Sequence, residues 1–536
     1  MCVSCKVEAL STNSGRVSVR ITGTGHASMF IETAAGSILC DPWVNPAYFA
    51  SWFPFPDNSQ LDWDTLGQAD YLYVSHLHRD HFDEEHLSKR ISKDTTVLLP
   101  EYPTSELETE LRALGFHKFI KTVSEEIVEL PGGVKVMIQS LISPTDGPIG
   151  DSSLWVEDAD GTRLLNQNDA RPTDMSVFLQ HGKIHAHLLQ FSGAIWFPMV
   201  YELPDNAKQA FGKQKRERGF DRSLRYIDDV AGDWVFPIAG PPCFLDDELY
   251  QFNDVFGDEG NIFPDQLAYA DWLEEQGRDK NIVLLPGSVA EISADGSGSV
   301  THPVEDLREW FANKKEHLDA YRERQQDRLA AEKASWSHPE IDVLETLRER
   351  IEPLMKSAEH IATGIGGPVR FDLTAPDSDE VVESIIFDFL ERKIYPDEGA
   401  KVRYRFRTER RLIEHLLHIR EVDWVNSLFL SCRFTAARIG QYNEYVYAFF
   451  KCLSEERLQY AEGWYAEQRP DDEDITMQGW TFQRRCPHLK ADLSVFGKIE
   501  DGVLTCQMHG WKWNLKSGKC MTSVGHDIRS ARAEDA

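Results

Sequence analysis

The chain has 536 residues, 57 of them Lys or Arg and 88 Asp or Glu, for a formal net charge of -31. That balance argues against a nucleic-acid partner held through its phosphates and against an anionic membrane surface. The length implies about three or four domains, and at 41% hydrophobic residues they can bury substantial cores. No apolar run reaches a membrane span, and the first ten residues lack the apolar core of a signal peptide. Nine scattered cysteines suit a reducing cytoplasm better than a disulfide framework. Cys2 and Cys5 form a CxxC pair that reads as incidental.

In chain order, Val17 to Ile21 alternates like a strand and leads into the Gly-rich stretch from Thr22 to Ser28. Met29 to Glu32 and Ser37 to Cys40 read as a hairpin around Gly36. Asp41-Pro42-Trp43 follows. Tyr48 to Pro56 is dense in aromatics, either core or one wall of an apolar substrate pocket. His26 reads as a structural or supporting histidine rather than a ligand. Tyr71 to Ser75 is an apolar run of strand character that breaks into His76, His78, Asp80 and His81. These four cannot share one face of a strand. On a tight loop at a strand end they can converge, His76 and His78 on one metal, Asp80 and His81 on a second. Imidazole and carboxylate suit zinc, iron or manganese. The bland alternative is a solvated, His-rich loop.

Thr96 to Leu99, a helix around Glu106 to Leu114 and a strand from Gly132 to Ile142 continue the alternation, which argues an α/β class with helices covering sheets. Asp146 and Asp151 fall in the loop expected after that strand. Leu154 to Glu157 and Arg163 to Leu165 form a hairpin around Asp160-Gly161 that ends at Asp169. A carboxylate at a strand end suits a bridging metal ligand; the alternative is a turn aspartate. His185 to Phe191 and Trp234 to Ile238 are further strands, the latter entering Ala239 to Leu245.

The histidine motif at a strand end resembles the metallo-β-lactamase fold, which implies an αββα sandwich over residues 16–303. The details resemble one branch of that fold, the CMP-N-acetylneuraminate hydroxylases and related bacterial natural-product hydroxylases. The matching pieces are DPW at Asp41, SHLHRDH at Ser75, DSSLWVE at Asp151, ND at Asn168, SGAIWFPM at Ser192 and FPIAG at Phe236. By this resemblance Asp151 sits near the third ligand of the first metal, with Asp146 the competitor. His76, His78 and one such carboxylate suit non-haem iron and leave room for oxygen. Hydrolytic members of the fold end the last strand on a histidine where Ala239 stands here. The second metal is then short of a ligand, which Asp246 or Asp247 could supply by reaching back.

Residues 304–337 read as a charged helical linker. Residues 338–470 read as a smaller α+β accessory domain, with a helix from Val343 that Pro353 stops or kinks. Val369 to Leu373 and Val402 to Arg407 are its strands, and Thr408 to His418 is a helix. No clustered metal ligands stand out there. Its expected use is to cover the active site or to join two copies in a homo-oligomer; the alternative is a structural spacer.

Residues 471–536 carry a second cofactor motif, Cys486-Pro-His488 and Cys506-Gln-Met-His509. Two Cys-plus-His pairs on separate hairpin tips can hold two irons, thiolates on one and imidazoles on the other, as in a Rieske [2Fe–2S] centre. The rival is a structural Cys₂His₂ zinc site, but in zinc fingers both cysteines precede both histidines. The flanks resemble the all-β Rieske family. Leu489 and Met508 stand where respiratory Rieske proteins carry a disulfide, which implies the lower-potential ferredoxin or oxygenase type. Cys520 reads as a plain core cysteine. In the animal sialic acid hydroxylases the Rieske unit comes first, so their substrate does not carry over. The order looks closer to bacterial hydroxylases of diterpenoid intermediates, such as that of platensimycin biosynthesis.

The expected function is an O₂-dependent monooxygenase that hydroxylates an unactivated C–H of a bulky small-molecule natural product, for instance a diterpenoid acid or thioester. His76, His78, Asp80, His81, Asp151 and Asp169 would hold two non-haem irons, with Asp80 and Asp169 the carboxylates at the reaction centre. Cys486, His488, Cys506 and His509 would hold the cluster. The chain has no GxGxxG fingerprint after a strand, so NAD(P)H would act through a separate ferredoxin or reductase with a basic docking face. The alternatives are a zinc hydrolase with a structural or regulatory tail, and a non-catalytic electron-transfer or scaffold protein.

Overall fold

The computed structural model describes residues 19–143, 150–192, 195–255, 257–467, 473–488, 490–508 and 510–533. It divides into two compact units, one drawn from residues up to 330 and the other from 331 onward together with 196–208.

The first unit is built on two sheets. One has eight strands in the order Gly298–Thr301, Val289–Ile292, Val19–Gly25, Ser28–Thr33, Gly36–Cys40, Tyr71–Tyr73, Thr96–Leu99 and Phe119–Lys121. The other has six, in the order Trp234–Ile238, Ala186–Gln190, Arg163–Asn168, Gly150–Glu157, Lys135–Ile142 and Ile127–Glu129. Alternation along each strand decides what packs where, because successive side chains leave on opposite faces. Tyr71 and Tyr73 point into the core between the sheets, with Ile21, Ile31, Ile138, Val156, Leu188 and Phe236. Leu72 and Val74 point the other way and bury Trp63, Leu87, Leu107 and Leu111 from the covering helices. Phe220 of the helix Asp205–Val230 and Tyr269 of the helix Gln266–Glu275 close against Phe191, where Phe191 and Tyr269 stack at 4.7 Å. The result is the αββα sandwich of the metallo-β-lactamase fold.

The long helix Asp205–Val230 has no counterpart among the expected elements. Its sequence is rich in charge, and its large buried side chains, Phe220, Tyr226, Ile227 and Val230, are confined to its second half. Gly212 lets it approach the chain closely, since a Cβ there would stand 1.8 Å from the Gly260 carbonyl oxygen. Asp151 is not in a loop. It is the second residue of the strand Gly150–Glu157 and pairs with Leu141. Asp146 lies outside the described residues. Of the aromatics of 48–56, Phe49 is half-buried and the rest are buried, Phe53 and Phe55 in a core with Leu318 and Tyr321. The charged region after 304 forms two helices, Leu307–Ala312 and Lys314–Ser335.

In the second unit a five-stranded sheet runs Lys393–Pro396, Val381–Asp388, Pro368–Thr374, Tyr404–Glu409 and Phe434–Arg438. The hairpin of its first two strands has no counterpart among the expected elements. The helix Val343–Ser357 neither stops at Pro353 nor loses its buried face, with Leu347, Ile351 and Met355 on one side. The final region is all β, a three-stranded sheet (Asp474–Met477, Trp480–Gln483, Ser530–Arg532) and a four-stranded one (Gly497–Glu500, Val503–Cys506, Trp511–Asn514, Lys519–Cys520). Among the described residues no helix is long and apolar enough to cross a membrane.

Candidate functional site

The strand Tyr71–Tyr73 ends in the core, and its last carbonyls are tied down. Ser152 Oγ donates to the Ser75 carbonyl at 2.7 Å, linking the loop to the strand that carries Asp151. The His78 carbonyl accepts the backbone amides of His81 and Phe82, so the chain turns tightly. The turn brings His76 Nε2 to 2.7 Å from His78 Nδ1 and 3.6 Å from Asp151 Oδ1. His81 Nε2 lies 3.7 Å from both Asp80 Oδ2 and Asp169 Oδ2. Three sets of possible ligand atoms, each within 4.8 Å, result: His76, His78, Asp151; His76, His81, Asp169; and His26, Asp80, His81. Asp169 thus falls beside one imidazole from each half of the motif.

Residues outside the motif hold it. Asp41 Oδ2 meets His81 Nδ1 at 3.1 Å, and Asp41 Oδ1 accepts the Ser75 amide at 2.7 Å. Asn168 also donates to Asp41. Such an outer carboxylate fixes an imidazole's tautomer and orientation. Tyr48 donates its hydroxyl proton to Asp80 Oδ1 at 2.5 Å and accepts the Arg79 amide. His26 Nε2 is 3.0 Å from Asp80 Oδ2. His26, Asp41, Tyr48, Asn168 and Ala239 all have φ between +41° and +59°, a strained backbone concentrated at one place. The DPW motif and the Gly-His pair are the sequence signals for Asp41 and His26; nothing in the sequence marks Tyr48. Asp246 and Asp247 join none of these sets. Asp247 is exposed and pairs with Arg322, and Asp246 Oδ1 accepts the Glu248 amide.

The donor set fits a metal pair. His78 Nε2, His81 Nε2, Asp151 Oδ1 and Asp169 Oδ1 are all buried with no hydrogen-bond partner, an expensive state unless a cation completes them. Burial and the adjoining imidazoles push His76 and His78 down to about 4, so both are neutral and free to ligate at neutral pH. Burial pushes His81 down, but Asp169 and Asp80 outweigh it and raise its pKa. Acidic neighbours that favour a proton there favour a metal cation equally.

In the second unit Cys486 and Cys506 are fully buried. Cys506 ends the strand Val503–Cys506, and its carbonyl accepts the Gly510 amide at 2.7 Å. The His488 ring stacks on Trp511 at 4.0 Å. His509 and Leu489 lie outside the described residues. Cys520 is buried against Ser523. Glu444, buried at the start of the helix Glu444–Lys451, approaches His488 Nε2 at 3.4 Å and His526 Nε2 at 2.8 Å. No sequence spacing points to it. Nor does the sequence show that His338, Glu340 and His418 offer ligand atoms within 4.8 Å of one another, a group that corrects the expectation of no clustered ligands in 338–470.

Comparison with known proteins places these features. A β-lactamase superfamily domain matches residues 20–137, an Rv3818-like, SCP2-like domain residues 343–467, and a Rieske [2Fe-2S] domain residues 472–527. A Rieske 2Fe-2S iron-sulfur protein of Mycolicibacterium smegmatis is 52% identical over 520 residues, 95% of this chain and 99% of that one. The chain belongs to that family of Rieske iron-sulfur proteins. The Mycobacterium tuberculosis member is 49% identical over 525 residues, 96% of this chain and 100% of that one. This Rieske-family chain is also similar to the cytidine monophosphate-N-acetylneuraminic acid hydroxylase of Pan troglodytes, 37% identical over 234 residues, 41% of the chain and 38% of the hydroxylase. It therefore combines a metallo-β-lactamase-fold domain related to hydroxylases with a C-terminal Rieske domain, and this combination supports an oxygenase-like role.

Proposed function

We propose that the protein is an O₂-dependent monooxygenase with a non-haem diiron site in its first unit and a Rieske cluster in its second. The observation that carries this reading is the coexistence, in one chain, of a buried donor set that fits a metal pair and a Rieske domain. A hydrolase has no use for a one-electron carrier. His76, His78 and Asp151 would hold one iron, Asp80 and His81 the other, with Asp169 between them and His26 in reach of the second. Cys486, His488, Cys506 and His509 would hold the cluster. Bound there, the irons supply oxygen activation and the cluster supplies single electrons. The chain's own part is to hold His76 and His78 neutral and to orient His76 and His81 through Asp41 and Ser75. It also keeps the carboxylates Asp80 and Asp169 ionised, since their partner imidazoles outweigh burial and lower both pKa values.

The substrate of this reading is a bulky natural-product intermediate, hydroxylated at an unactivated C–H. Electrons come from NAD(P)H through a separate ferredoxin or reductase. Cysteines scattered along the chain, with no disulfide formed among the described residues, suit a reducing cytoplasm. Metal analysis of anaerobically purified protein tests the reading: two cluster irons and two site irons make about four per chain. Two irons with two zincs, and no oxygen consumed on reduction, would favour the zinc hydrolase instead.

A further inference from the structure

The helix Asp205–Val230 carries two kinds of cation. Lys213 pairs with Glu259 and Arg216 with Asp254, so those charges are balanced. Lys215, Arg218 and Arg222 stand at i, i+3 and i+7, which puts them on one face of the helix. Arg171 lies in the segment after Asp169, and its charge acts on Lys215. The Pro172 carbonyl accepts the Tyr226 hydroxyl at 2.8 Å, which pins the segment to the helix. Arg171 Nε is buried and makes no hydrogen bond. Among the described residues the charges that act on Lys215 are positive: burial, then Arg171, Arg222 and Arg218, push it down to about 7. Burial also lowers the pKa of Arg218.

A chain of net charge -31 has ample carboxylates to balance Arg171, Lys215 and Arg218, as it does for Lys213 and Arg216. Like charges gathered in a partly desolvated place repel, unless an anion occupies it. Arg171, Lys215 and Arg218 are half-buried rather than sealed, so a solute can reach them. Arg171 links them to the candidate metal centre. Arg171 follows Asp169 by two residues, and its charge acts on Asp151.

We propose that Arg171, Lys215 and Arg218 form an anion subsite beside the metal centre, and that the substrate carries a phosphate or diphosphate group anchored there. A single carboxylate is satisfied by one guanidinium fork, whereas two guanidinium groups and an ammonium match a group of two or more negative charges. The role as substrate anchor rests on the monooxygenase reading; the binding itself needs no iron.

The test uses full-length protein whose visible spectrum and iron content have been recorded. Pyrophosphate is titrated calorimetrically against acetate at equal ionic strength. Pyrophosphate should bind and acetate should not. Lys215→Ala and Arg171→Ala should each weaken pyrophosphate about tenfold or more, while Lys213→Ala leaves it unchanged. Amine labelling followed by mass spectrometry gives a second readout, which needs no variant. Lys215 should react faster than the exposed lysines at neutral pH, and pyrophosphate should protect it by holding its proton. No pyrophosphate binding, binding matched by acetate, or equal loss in Lys213→Ala would overturn the subsite. A protein with normal spectrum and iron content that fails to bind would leave the monooxygenase reading standing; a missing cluster spectrum would strike that reading instead.

Discussion

His26 reaches Asp80 through Nε2 at 3.0 Å, while its own carbonyl accepts the amide of Ala239 at 3.2 Å. Ala239, which follows the strand Trp234–Ile238, is therefore backed by a histidine from the turn between the first two strands. His26 also shares a potential ligand set with Asp80 and His81, and its Nδ1 is buried without a partner. We expect His26→Ala to keep the cluster and the first iron and to lose most of the second. Iron analysis combined with quantification of the cluster by electron paramagnetic resonance reads this directly. Unchanged iron in the variant would leave His26 a packing residue.

Glu444 is the corresponding residue in the second unit. A buried carboxylate 3.4 Å from an imidazole proposed to hold the cluster stabilises positive charge there. Hydrogen bonding and charge near a cluster set its potential. Glu444→Gln removes the charge and nearly preserves the shape, so the reduction potential should rise while the cluster remains. Redox titration followed by electron paramagnetic resonance measures it. An unaltered potential would show that the contact only packs the helix.

Losing His488 or His509 should have a different signature. His488→Ala or His509→Ala is expected to abolish the Rieske spectrum and all turnover with reductase. The first unit should remain folded and keep its site irons. Full turnover in either variant would make the tail structural.

His187 supplies a pH test away from the metal ligands. Its Nε2 lies 2.9 Å from Gln167 Oε1, and burial pushes it down from 6.5 to about 3. The unfolded chain takes up a proton near 6.5 and the folded chain does not, so stability is full above that pH and falls as pH drops toward 3. The loss reaches a few kcal/mol, since each tenfold difference in proton affinity between the two states is worth about 1.4 kcal/mol. Urea midpoints measured from pH 7 to 4.5 should decline, and less steeply in His187→Asn. Equal slopes would mean that His187 is protonated inside the fold.

What the sequence makes legible is local. Thr96–Leu99 and Trp234–Ile238 have the expected bounds because each is a short apolar run with polar or turn-forming neighbours. His76, His78, Asp80 and His81 lie close in sequence, and a tight turn at a strand end is enough to gather them. Glu444 and His526 meet across about eighty residues of chain, and no spacing rule reaches that far. The helix Asp205–Val230 hides behind charges such as Lys213 and Arg216, whose partners lie on other elements. Asp151 resembles a loop residue because its strand opens with Gly150 and continues through small polar residues, yet its neighbours in the pairing are Leu141 and Ile142. Pro353 signals a stop or a kink, and the stop does not occur: in a helix held by Leu347, Ile351 and Met355, tertiary packing outweighs one lost backbone bond.

The central claim is that oxygen from O₂ enters a product. Protein supplied with NADPH, a ferredoxin and its reductase, and a small-molecule cell extract should generate new species under oxygen. Under ¹⁸O₂ those species should appear two mass units heavier than under ¹⁶O₂, and Asp169→Ala should abolish them while its cluster is still reduced. Products labelled only from H₂¹⁸O, formed with no oxygen consumed, would contradict the account.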